Sequence, residues 1–209
     1  MNHVVLLGDS IFDNASYVPG KPPVIEQLRS LLAGEWKATL LAIDGHVTMS
    51  VINQTVRLPQ DASHLVVSCG GNDALGHANM LADSARSVAE VLQRFANVRL
   101  EFQSDYRSML AHVLSFGLPT AVCTVYDTVP GYDLAAMAAL SMFNEIILRE
   151  AFSVNVPVLD LRLIFSEPAD YSALSPIEPS AVGGEKITQA VCRLLNSHDF
   201  SQKCSAVYT

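Results

Sequence analysis

Five short runs built almost wholly from Val, Leu, Ile, Ala, Thr and Cys constrain this chain more than any other feature. They occupy residues 3–7, 38–43, 65–69, 120–125 and 157–161. A strand with one wet face alternates apolar and polar side chains. These runs barely alternate, which is the pattern of parallel strands covered on both faces. Helical spacing fills residues 24–33, 81–116, 134–152 and 184–195. Leu81, Ala85, Val88, Leu92 and Phe95 form one stripe, and Phe102, Tyr106, Met109, Val113 and Phe116 repeat its spacing. Together they predict the core-facing side of one long helix, or of two in tandem. Ala136, Leu140, Phe143 and Ile147 make a similar stripe. Strand alternating with helix predicts an α/β chain, a three-layer α/β/α domain around a five-stranded, mainly parallel sheet.

The 209 residues fit one domain, read as residues 1–196 with a polar C-terminal tail at 197–209. Only 16% of residues are charged and half are apolar, so the chain must bury much of itself and is not disordered. Its net charge of −8 and lack of a basic run exclude a nucleic-acid binder as a partner class. The N-terminal apolar run is too short for a signal peptide, and no segment is long enough to span a bilayer. The four cysteines show no metal-ligand spacing and read as free thiols, which with the missing leader gives a cytoplasmic expectation. No cofactor or metal is implied, and oligomeric state is not readable.

In such folds, sites lie beyond the carboxyl ends of the strands. After the first strand comes Gly8-Asp9-Ser10-Ile11-Phe12-Asp13-Asn14, where Ser10 stands at the top of the sheet. Asp9 is expected to support the turn, with Asp13 and Asn14 capping the next segment. After the second strand comes Asp44-Gly45-His46, and after the third Gly70-Gly71-Asn72-Asp73. Each of these stretches alone reads equally well as a turn. Together they place a hydroxyl, a glycine N–H and an amide on one edge, a set that suits attack on a carbonyl and stabilisation of an oxyanion.

The trio resembles the SGNH (GDSL-type) hydrolase family. Ser10 in GDSIFDN matches its first block, Gly45 its second, and Asn72 in GGND its third. The resemblance runs from Leu6 to about Ile187 and implies a flavodoxin-like sheet. It also implies a nucleophilic Ser10 and an oxyanion hole made by the Ser10 N–H, the Gly45 N–H and the Asn72 side chain. The partner would be a small-molecule acyl ester.

One block departs. The family's DxxH supplies a His base and an Asp that orients it. Here Ser175-Pro176-Ile177-Glu178 stands in its place, so Glu178 occupies the His position and Ser175 the Asp position. An ordinary Glu has a pKa of about 4.3 against about 6.5 for His, but burial can raise it to about 6–7. A Glu base becomes neutral on protonation and needs no partner carboxylate. The expectation is therefore an esterase with Ser10, Gly45, Asn72 and Glu178 as its catalytic set. The alternative is a catalytically impaired relative that binds a small acyl or acidic ligand. Should a histidine substitute, His46 is preferred over His77. Asp160, after the fifth strand, is a further cleft candidate. Residues 129–134 and 165–174 are candidate pocket walls, with Tyr132, Phe165 and Tyr171 their aromatic members.

Overall fold

The computed structural model describes residues 1–32, 34, 36–202 and 204–209. Ala33, the last residue of the first expected helix, lies outside them. In chain order the elements are β1 (Asn2–Gly8), α1 (Val24–Leu31), β2 (Trp36–Leu40), α2 (Ser50–Gln54), β3 (His64–Ser68) and α3 (Gly71–Gly76). Next come α4 (Val88–Leu114), β4 (Thr120–Cys123), α5 (Leu134–Ser153), β5 (Val158–Leu159), α6 (Leu161–Ile164), α7 (Ala181–Ser197) and β6 (Val207–Tyr208). The sheet order is β2-β1-β3-β4-β5-β6, and every pairing is parallel.

The non-alternating strands are buried on both faces, as their composition requires. Val4 and Leu6 of β1 join the core beneath α1, α6 and α7, while Val5 and Leu7 join the core beneath α4 and α5. Strand order reverses at β1, whose neighbours are β2 and β3. The crevice outside the strand ends at such a reversal is where ligands bind in open α/β sheets. It falls among the loops that carry Ser10, Gly45 and Asn72. Among the described residues no helix is long and apolar enough to cross a membrane.

The sheet has six strands where five were expected. Val207 and Tyr208 pair with Val158 and Leu159, and Asp160 N–H donates to the Tyr208 carbonyl at 2.8 Å. So short an edge strand has no apolar run to betray it. β5 is also short, because Pro157 lacks an N–H and Asp160 turns the chain to cap α6. β2 begins before its expected start and its regular ladder ends at Leu40. Leu41 and Ala42 both donate to the Leu6 carbonyl, at 2.9 and 3.0 Å.

The first half of the long apolar stripe is not core. The helix starts only at Val88, because the Ser87 hydroxyl accepts from Glu90 N–H at 3.2 Å and the Glu90 carboxylate accepts from Arg86 N–H at 3.0 Å. These local bonds end the helix and send residues 83–87 away from it. Val88 and Leu92 are therefore 75% and 63% exposed, whereas Phe102, Tyr106, Met109 and Val113 are buried as expected.

Candidate active site

The turn that carries Ser10 begins at Gly8, whose φ of +128° lies in the region that favours glycine. A Cβ there would stand 1.7 Å from the Ser68 carbonyl oxygen, so β1 and β3 meet too closely for any side chain. The buried Gln54 amide holds this glycine on both sides, accepting from its N–H at 2.8 Å and donating to its carbonyl at 2.6 Å. Asp9 then accepts with its carbonyl from Phe12 and Asp13 N–H, both at 3.1 Å, and with its carboxyl from Ile11 N–H at 3.1 Å. That single turn leaves the Ser10 N–H without a protein acceptor among the described residues.

Glu178 reaches the same place from the far end of the chain. Its N–H donates to the Ser175 carbonyl at 3.2 Å, and its carbonyl accepts from Ser172 N–H at 2.8 Å. Ser175 thus contributes a turn. The flanking residues are clamped too: Tyr126 donates its hydroxyl to the Ile177 carbonyl, and Pro179 bridges to Tyr171. Asn14 donates to the Pro179 carbonyl at 3.1 Å while accepting from Val24 N–H at 2.9 Å. The expected cap is therefore a strut joining the Ser10 loop to the Glu178 loop. Its place inside GDSIFDN was the available signal; Tyr126 and Gln54 carried none.

The Glu178 side chain is 5% exposed and lines one cavity with Ser10. Burial pushes its pKa up to about 7; the Ser10 side chain, hydrogen-bonding to the carboxyl, draws it down, and Asp44 adds slight repulsion. Its Oε2 is buried with no partner. Asp9 is pushed to about 8, mainly by burial, against the Ile11 hydrogen bond and with repulsion from Glu178 and Asp73. Burial also raises Asp73, whose carboxylate is held by Thr48 N–H and Oγ1, each at 3.0 Å.

These raised carboxyls set a stability trend. In the folded chain Asp9 and Glu178 keep protons that the unfolded chain releases above about pH 4–4.5. Where the folded state binds more protons, stability falls as pH rises. The melting temperature is expected to drop by several degrees between pH 5.5 and 8.5, each kcal/mol being worth about 2–4 °C in a domain of this size. Scanning calorimetry checks this, and Asp9→Asn should flatten the slope.

Asn72 sits in the first turn of α3 and donates one amide hydrogen to the His46 carbonyl at 2.9 Å. Its second hydrogen has no protein acceptor among the described residues. Gly45 has φ +78°, and its N–H has no protein acceptor among the described residues. It does not itself line the cavity; it makes the turn that presents the His46 carbonyl to Asn72. His46 is turned to Gln54, with Nδ1 and Nε2 3.0 Å apart, so the preferred histidine substitute is engaged elsewhere. His77 does line the cavity. Asp160 is buried and bound by Thr124 and Arg162, away from the cavity. Of the expected aromatic walls only Tyr132 lines the cavity; Phe165 and Tyr171 pack against Tyr126 behind it. Among the described residues no group of three or more His, Cys, Asp or Glu could hold a metal ion, and all four cysteines are free.

Fold and loop order together define an α/β chain of the hydrolase type that carries its serine directly after the first strand. The chain belongs to the GDSL-like lipase/acylhydrolase family, which it matches over residues 6–185. No curated protein sequence matches it significantly. Among solved structures it is similar to a lipase from a goat rumen metagenome, at 17% identity and a TM-score of 0.68, covering 90% of this chain and 95% of that one. It is similar to the lipase/acylhydrolase from Enterococcus faecalis, at 19% identity and a TM-score of 0.67, covering 93% and 95%. An acetyl xylan esterase is likewise similar, at 15% identity and a TM-score of 0.66, covering 90% and 96%. Identities this low speak for the fold.

Proposed function

We propose that the protein is a serine esterase that hydrolyses small acyl esters with Ser10 as nucleophile and Glu178 as general base. The observation that carries this reading is the buried Glu178 carboxyl, which lines the same cavity as Ser10 and whose pKa burial raises to about 7. A serine hydroxyl is a weak nucleophile until an adjacent group accepts its proton, and a base with a pKa near the working pH is suited to that transfer.

In the first half-reaction Ser10 Oγ bonds to the acyl carbon as its proton passes to Glu178. Negative charge collects on the carbonyl oxygen, which takes hydrogen bonds from the Ser10 N–H and the free Asn72 amide hydrogen, while Gly45, outside the cavity lining, serves through the turn that positions Asn72. The intermediate collapses, the C–O bond to the alcohol breaks, and Glu178 returns its proton to that oxygen. Water then repeats the sequence on the acyl-serine, releasing the acid and restoring Ser10. Each protonation leaves Glu178 neutral in an apolar surrounding, which accounts for the absence of an Asp at position 175.

Asn72→Ala is expected to lower kcat by about 10²–10³-fold with little change in KM, the usual cost of removing one oxyanion donor. Steady-state kinetics on a chromogenic ester measures it, and an unchanged kcat would remove Asn72 from the assignment. Reaction with a fluorophosphonate tests the whole reading. Covalent labelling of wild-type protein that is lost in Ser10→Ala supports an esterase. Absence of labelling overturns it and leaves a protein that binds an acyl or acidic ligand without cleaving it.

A further inference from the structure

The cavity that opens at Ser10 has a volume of about 280 Å³ and a largely apolar lining. α5 offers Ala136, Ala139, Leu140 and Phe143, one face of the helix, and α4 offers Phe95 and Val98. These residues stand opposite the loops that bear Asp9, Ser10, Asn72 and Glu178. Leu75 and Leu81 line the cavity yet are 38% and 42% exposed, so they form its mouth.

We propose that this cavity is an acyl-chain site and that the protein selects medium-length acyl groups of about six to ten carbons, taking a methylene to need the ~30 Å³ that a water molecule occupies in the liquid. The inference rests on the Ser10 esterase reading and adds the substrate class. An acetyl group would fill little of the cavity and draw nothing from the α4–α5 walls. Each methylene moved from water into them is worth up to about fourfold in kcat/KM. Chains beyond the cavity's length pass the mouth into solvent and gain little more. The small side chains of Ala136 and Ala139 keep the space open. Both are only partly buried, so a larger side chain at either can be accommodated at the helix surface while filling the cavity.

The test uses p-nitrophenyl acetate, butyrate, octanoate and palmitate with the whole chain. Wild-type kcat/KM is expected to rise at least tenfold from acetate to octanoate and to rise no further at palmitate. In Ala139→Phe the octanoate-to-acetate ratio is expected to fall at least tenfold, with Ala136→Leu as a second variant should the first fail to fold. Acetate cleaved as well as or better than octanoate overturns the inference and leaves the esterase reading standing. So does an octanoate-to-acetate ratio unmoved in the folded variant. No cleavage of any ester, with no fluorophosphonate labelling, overturns both.

Discussion

Ser10→Ala is expected to reduce kcat/KM on an acyl ester by about 10⁵–10⁶-fold, the scale seen when the nucleophile of a serine hydrolase is removed while its binding site stays. Without Oγ no acyl-serine can form, and water must attack directly with only the oxyanion donors and cavity to help. The variant should fold as the wild type does, since the turn is held by backbone bonds of Asp9 and by the Gln54 clamp on Gly8, none of which uses the Ser10 side chain. Octanoate ester binding should persist, measurable by calorimetry in the inactive variant. A Ser10→Ala protein that retained more than a hundredth of wild-type activity would exclude Ser10 as nucleophile.

Glu178→Gln is the second large effect, expected at about 10²–10⁴-fold, the range of a positioned general base. Gln keeps the size and polarity of the side chain but cannot accept the Ser10 proton. The pH profile separates a base from a spacer. Glu178 is pushed up to about 7, chiefly by burial, and it acts only when ionised. Wild-type kcat/KM should therefore rise as pH increases, pass half its maximum near pH 7, and level off above about pH 8. The residual activity of Glu178→Gln should lack that inflection. Should the inflection survive, another group titrates there, and Asp9, which also lines the cavity and is pushed up to about 8 by burial, is the one to replace next.

The sheet was legible because burial on both faces removes the need for polar alternation, so β1, β3 and β4 appear as near-continuous Val and Leu runs. The edge strand at Val207–Tyr208 was not legible, because its two residues are held by hydrogen bonds to β5 rather than by apolar content. The stripe from Leu81 to Phe95 misled for a related reason. Periodicity counts apolar residues without knowing what they face; here the Ser87 cap restarts the helix, and Phe95 faces the cavity while Leu92 faces solvent.

For the site, the amino-acid sequence alone determined that a serine, a glycine and an asparagine come after three successive strands; the family resemblance added that a glutamate stands where it implies a histidine. Such facts are local, carried by short motifs at strand ends. It could not determine whether Glu178 stands beside Ser10, since 168 positions separate them in the chain. Only the tertiary structure decided that, by tying the two loops together through Asn14 and Pro179 and by burying the carboxyl where water no longer favours its charge. A carboxylate's pKa depends on what surrounds it in space, and that environment is assembled from the whole fold.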